Sequence, residues 1–211
     1  MDSPSASGQG VPLQFVVIFL DVLNDLVGAH GTAALLRRAG HPEWIESPPH
    51  PTPASFASPE SVTAIFSSLE DLYGPRGGRG LGRRLGAAVV DRYLKDVGAL
   101  AGVGDPSFQA LPSRTRARVG LMALGRVVTG LGGFHIDVSA TDQAIALSVP
   151  DCPFCVQRSL DAPGCPALVG LVDAALRLVA PEAGLSSGET ACRATASPAC
   201  ELTVRLPATD S

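Results

Sequence analysis

Apolar positions in the first half of the chain recur at helical spacing. The run FVVIFLDVLNDLVGAHGTAALLRRAG, within residues 13–40, predicts one or two helices broken near residues 28–31. HPEWIESPPHPTPASFASPE reads as a proline-rich loop that ends where Ser58 can cap a helix and Pro59 can take its first position. In the helix that follows, Val62, Phe66, Leu69 and Tyr73 share one face. GPRGGRG then reads as a turn, and helices are predicted over residues 81–100 and 113–131.

The character changes at Phe134. FHIDVSA and AIALSVP are short strand-like runs separated by Thr141, Asp142 and Gln143, which makes them a hairpin. PALVGLVDAALRLVAP is a helix stopped by Pro181, and strand-like runs around residues 185–194 and 201–206 flank the turn-forming TASPA. Helices first, then strand–strand–helix–strand–strand, imply an α+β fold with an antiparallel sheet. The division expected is a disordered tail over 1–12, a helical half over 13–132, and an α+β domain over 133–208.

With 211 residues, 45% of them hydrophobic, the chain can bury a sizeable core. A net charge of −4 gives no reason to expect nucleic acid or an anionic membrane surface as partner. The Ser- and Gly-rich start lacks the basic residues of a secretory signal, and the apolar run before Asp21 is too short to span a bilayer. These features place the chain in the cytoplasm, where thiols are more often metal ligands or redox groups than disulfides.

All five cysteines fall between residues 152 and 200. Cys192 and Cys200 bracket a loop centred near Ala196, so strands pairing about that centre set them opposite each other on one face. Cys165 precedes Pro166, where a positive helix end favours a thiolate. Glu189 and Cys192 are three apart and lie on opposite faces of a regular strand, so they share an ion only across a bulge or a strand end. Cys165, Glu189, Cys192 and Cys200 then make a tetrahedral set suited to zinc, closed to water and so structural. Cys152 and Cys155 have knuckle spacing without a matching second pair. One of them can replace Glu189, the two can be redox-active, or the thiols can be merely buried.

The segment CPFCVQRSLDAPGCPALVGLVDAALRLVAPEAGLSSGETACRATASPACELTV, within residues 150–206, resembles the 4-vinyl reductase domain, through Cys165 and Gly170 on a helix followed by Glu189, Cys192 and Cys200. Upstream, LYGPRGGRGLGRRLGAAVVDRYLKDVGALAG resembles the N-terminal half of bacterial proteins carrying that domain. Similarity to phenol-sensing transcription activators implies zinc at Cys165, Glu189, Cys192 and Cys200. The family resemblance further implies a fold shared with vesicle-tethering TRAPP subunits and haem-based nitric oxide sensors: a helical half on a four- or five-stranded antiparallel sheet, often as a homodimer. This chain departs from the family pattern in having Ala196-Ser197 between its last two cysteines and Leu202 and Val204 after them.

The family name suggests a reductase of chlorophyll precursors, but the features such an enzyme needs are missing. The glycines from Gly74 to Gly86 follow a helical segment rather than a strand, so they make no dinucleotide cradle. Tyr93 and Lys95 are two apart, not the four of a short-chain reductase. His30, His41, His50 and His135 are scattered, and only His135 sits where it can face a cavity. Arg114, Arg116, Arg118 and Arg126 read as a solvated helix face or a basic docking stripe, and Trp44 as a loop anchor or a ligand platform. A binding module asks less: apolar walls from the helices and from strand residues such as Ile145 and Leu147, with His135 as a polar group. The reading is therefore a zinc-stabilised domain that binds or senses a small hydrophobic or aromatic molecule. The alternatives are a tetrapyrrole-pathway vinyl reductase or its accessory, and an assembly module.

Overall fold

The structure is a computed structural model describing residues 10–52, 55–94, 101–131 and 134–206. Residues 1–9 of the expected tail, residues 95–100 of an expected helix, the 132/133 boundary and residues 207–208 lie outside the described residues. The tail expectation fails at its end. Strand β1 (Val11–Pro12) pairs antiparallel with β2 (Phe56–Ala57), and Val11 is completely buried.

Helix α1 (Leu13–Arg38) bends at Gly28, whose φ of 72° suits a residue without Cβ. It is long and apolar enough to cross a membrane by length and composition alone, with mean hydropathy 1.5. Asp21 does not stop it: the carboxylate points outward while Phe15, Phe19 and Leu23 are buried in the core. A short helix, α2 (Glu43–Glu46), follows.

Helix α3 (Pro59–Arg92) starts as expected, with the Ser58 hydroxyl accepting the Ser61 N–H. GPRGGRG is not a turn. Gly74 alone leaves the helical region (φ 71°), Pro75 restarts the helix at its first position, and the glycines beyond are helical. A Cβ on Gly86 would meet the Ala167 carbonyl oxygen at 1.8 Å, and one on Gly82 would meet the Pro166 ring at 2.9 Å. These glycines let α3 approach helix α6 (Pro166–Val179) at backbone distance, and Gly170 of α6 answers with 1.9 Å to the Arg83 oxygen. α6 is buried nearly all round, as expected of a helix hydrophobic on every side.

Between them in sequence lie α4 (Pro106–Gln109) and α5 (Ser113–Gly130). The α5 arginines do not form one solvated stripe. Arg116 is buried against Gln109 and Glu182, whereas Arg114 and Arg118 donate to the carbonyls of Asp142 and Thr141.

The sheet is antiparallel in the order β3-β4-β6-β5, formed by β3 (Asp137–Ala140), β4 (Ala144–Val149), β5 (Ser187–Ala191) and β6 (Cys200–Arg205). Ile145, Leu147, Leu202 and Val204 form its buried face. α5 reaches that sheet at β3 and α6 at β5, so the helical half and the sheet share one hydrophobic core.

Candidate metal centre

The β5–β6 hairpin turns through Ala196, in a left-handed conformation at φ 63°. Its register pairs Ala191 with Glu201, which sets Cys192 opposite Cys200. Before that, Glu189 pairs with Leu202, and the register shifts between Glu189 and Ala191. The bulge is the irregularity that Glu189 and Cys192 require. It puts both on the face that carries Leu202 and Cys200, where a regular strand would separate them.

Cys165 caps α6, with Pro166 as first residue. The CPFC segment is carried to the same point by anchors on both sides. Phe154 packs edge-on against Phe66, Phe134 and Phe19, with centroids 5.1, 5.8 and 6.4 Å away. Thr63 donates to the Pro153 carbonyl at 2.7 Å, and a largely buried ion pair joins Arg158 to Glu70 at 2.9 Å. Cys152 and Cys155 therefore turn inward, toward the other sulfurs.

All five thiols are free and buried, and they converge. Sγ–Sγ separations are 3.9 Å for Cys152–Cys155, 3.4 Å for Cys152–Cys165, 3.8 Å for Cys165–Cys200 and 3.8 Å for Cys192–Cys200. Cys155 is the most crowded, at 2.7 Å from Cys165, 3.3 Å from Cys192 and 3.5 Å from Cys200. A tetrahedral ion with metal–sulfur bonds near 2.3 Å sets its sulfurs about 3.8 Å apart, so the wider separations are those of ligands to one ion. Two groups of four donors lie within 4.8 Å of one another: Cys152, Cys155, Cys165 and Cys200, and Cys165, Glu189, Cys192 and Cys200.

Glu189 places a carboxylate oxygen among the sulfurs. One oxygen, Oε2, accepts the Cys165 N–H at 2.8 Å, while Oε1 is buried with no partner among the described residues. A buried carboxylate oxygen without a donor is costly unless a cation faces it. Without that cation, burial pushes the carboxyl up to about 8, against the lowering effect of the Cys165 N–H.

The sulfurs divide in the same way. Hydrogen bonds from the Cys155 and Cys165 thiols lower Cys192 to about 6, and Cys152, Cys155, Cys165 and Cys192 lower Cys200 well below the usual thiol value. The donors are held up: Cys155 and Cys165 chiefly by their bonds to Cys152 and the other sulfurs, Cys152 by burial. In the metal-free cluster the hydrogen bonds from neighbouring sulfurs, Cys152 first, outweigh the positive helix end at Cys165.

The three residues expected to line a ligand pocket are not brought together. Ile145 and Leu147 are wholly within the core, while His135 is exposed and paired to Asp137 at 2.8 Å. His135 lines a groove of about 420 Å³ beside α5, and a cavity of about 260 Å³ lies inside the bend of α1, walled by Val17, Leu20, Ala33, Leu36, Trp44 and Ile45, with Asp21, Asn24 and Thr32 as polar groups. Trp44 stacks on His41, with centroids 4.1 Å apart and planes 12° apart. The sequence signal for this cavity was the Gly28 break followed by a tryptophan in a short proline-bounded turn.

No protein-family model matches the chain, and no curated protein matches it. Solved structures do. An H-NOX protein from T. tengcongensis is 16% identical, over 92% of this chain and 96% of that one, with TM-score 0.53. An H-NOX protein from S. oneidensis is 15% identical, over 90% and 98%, with TM-score 0.52. The phenol-responsive sensory domain of the transcription activator PoxR, solved with phenol, is 14% identical, over 75% and 78%, with TM-score 0.50. The chain therefore has the α+β fold of the H-NOX domains.

Another H-NOX structure concerns haem distortion, which makes haem the group to test against these residues. They do not fit it. His30, His50 and His135 are exposed, and His41 is stacked on Trp44. The cysteines are committed to one another, and the α3–α6 seam is closed at backbone distance. The donor set fits a small thiophilic divalent cation.

Proposed function

We propose that this chain is a metal-stapled domain of the 4-vinyl reductase type that binds a compact apolar or aromatic molecule. Zinc is the ion that its ligands suit: thiolate and carboxylate donors, tetrahedral spacing, and no redox demand. Cys165 and Cys200, present in both donor groups, would hold it together with Glu189 and Cys192. Bound zinc supplies cross-linking here, not catalysis, because every position is taken by a protein donor. It ties the start of α6 to the β5–β6 hairpin.

The cavity at the α1 bend carries the ligand half of the proposal. Its volume, about 260 Å³, is at the small end for ligand pockets and exceeds the ~150 Å³ that accepts benzene. Apolar walls with a tryptophan face and three polar side chains, Asp21, Asn24 and Thr32, suit a single ring bearing a hydroxyl. The PoxR domain, with its phenol, supports that class. A tetrapyrrole is far too large for this cavity.

Trp44 is the sole tryptophan, so its fluorescence reports occupancy directly. Titration with phenol and alkylphenols is expected to give saturable quenching that Ala33→Phe, by filling the cavity, abolishes. Elemental analysis of protein prepared in reductant without chelator is expected to find bound zinc. No saturable change across the series would remove the ligand assignment, and metal-free protein would remove the staple.

A further inference from the structure

The cavity at the α1 bend has one lining group that the fold leaves unsatisfied. Thr32 lines it, and the Thr32 hydroxyl is buried with no hydrogen-bond partner among the described residues. We propose that Thr32 determines ligand specificity: its hydroxyl pairs with the hydroxyl of a neutral ring, so that the cavity selects phenols over bare arenes and over aryl acids. The inference rests on the ligand reading above and names the residue that gives that site its preference.

The bend itself explains the unpaired hydroxyl. Inside a helix, a serine or threonine commonly returns its hydroxyl to the carbonyl three or four residues earlier. Ser68 of α3 does so, donating to the Ala64 carbonyl at 2.8 Å. Four residues before Thr32 stands Gly28, at φ 72° and ψ 170°, outside the helical region. The kink that opens the cavity therefore also takes that acceptor out of its regular place. A buried hydroxyl left unpaired is costly. A ligand that supplies the missing bond recovers the cost, and one that brings only apolar surface does not.

Charge narrows the class further. No basic side chain lines the cavity, whereas the Asp21 carboxylate does. Asp21 and Asn24 are exposed and flank the opening, while Thr32 is partly buried. A carboxylate on the ring would leave water with no cation to meet it and would face a like charge at the mouth. A neutral hydroxyl meets neither penalty, and it can donate to Thr32 or accept from it.

Phenol, toluene and benzoate, titrated into the full chain and followed by calorimetry and Trp44 fluorescence, test the assignment. Phenol and toluene are nearly equal in size, so shape cancels in their affinity ratio. Wild type is expected to bind phenol at least as tightly as toluene and to leave benzoate unbound. Thr32→Val keeps the volume and removes the hydroxyl; it is expected to retain toluene and to shift the ratio about tenfold toward it, the worth of one hydrogen bond. Thr32→Ser keeps a hydroxyl and is expected to keep the wild-type ratio. A ratio unchanged in Thr32→Val, or shifted as far in Thr32→Ser, overturns the selection and leaves the cavity as a site for apolar rings. In wild type, toluene binding tighter than phenol, or benzoate binding as tightly as phenol, does the same, so a variant that fails to fold does not shelter the idea. Wild-type protein that binds none of the three overturns the cavity reading as well.

Discussion

The closeness of α3 and α6 can be tested by adding one methyl group. In Gly170→Ala the new Cβ would sit 1.9 Å from the Arg83 oxygen, 2.7 Å from its carbonyl carbon and 2.9 Å from its Cα. All three are backbone atoms of a helix, so no rotamer change relieves them. Reaching ordinary contact opens the seam by roughly 1.5 Å, at the upper end of overpacking costs, about 3 kcal/mol. Alanine returns about 1 kcal/mol of helix propensity, which leaves a net loss of about 2 kcal/mol. For a chain of this size that is a fall in Tm of about 4–8 °C. Gly80→Ala is the control, because nothing lies within 4 Å of its Cβ. It keeps the propensity gain alone and is expected to raise Tm by about 2–4 °C. Both melts are followed by circular dichroism in reductant. If Gly170→Ala melts at or above the wild type, the two helices are not in backbone contact and the closed seam is wrong.

The remaining predictions concern the surroundings of the sulfurs. Arg158→Met strands the partly buried Glu70 and is expected to cost about 3 kcal/mol in urea unfolding, most of it recovered by adding Glu70→Leu. A double variant no more stable than the single would show that the pair is not what fastens the CPFC segment. In metal-free protein the Glu189 carboxyl is raised from 4.5 to about 8, so between these values the folded chain holds a proton that the unfolded chain has lost. The Glu189 contribution to stability therefore falls as pH rises through that window, while the Cys192 thiol, lowered to about 6, contributes in the opposite sense above that value. Wild type and Glu189→Gln, melted in chelator and reductant at pH 5.5 and 7.5, are expected to differ in slope, the variant gaining more or losing less stability as pH rises; parallel behaviour would show that burial of this carboxylate does not control it.

Much of the fold was legible where local chemistry decides it. Ser58-Pro59 marks a helix start, Thr141 to Gln143 a hairpin, and the spacing of Cys192 and Cys200 about Ala196 sets a register. Even the Glu189 bulge could be required in advance, because a strand's two-residue period forbids the alternative. The glycines from Gly74 to Gly86 misled because a glycine-rich segment reads as a turn when its neighbours are unknown. The legible signal there was the four-residue spacing of Gly78, Gly82 and Gly86, a stripe on one side of a helix that lets another backbone draw near. Pocket residues were the hardest to see. Ile145 and Leu147 have the alternation of a strand's apolar face, but whether such a face meets a ligand or other side chains depends on the arrangement of α5 and α6, which is a tertiary fact.

The sheet order has a consequence for synthesis. Strand β6 is the last in sequence of the described strands, yet it sits inside the sheet, joining β4 to β5. A nascent chain released as far as residue 199 has its helices and the β3–β4 hairpin, but β5 has no neighbour to pair with and Cys200 is not yet available. The ribosome must deliver the stretch through Arg205 before either the four-stranded sheet or the sulfur centre can close. Premature termination shortly before that point would leave β4 with an open edge and exposed thiols, a product marked for aggregation or proteolysis rather than a smaller working domain.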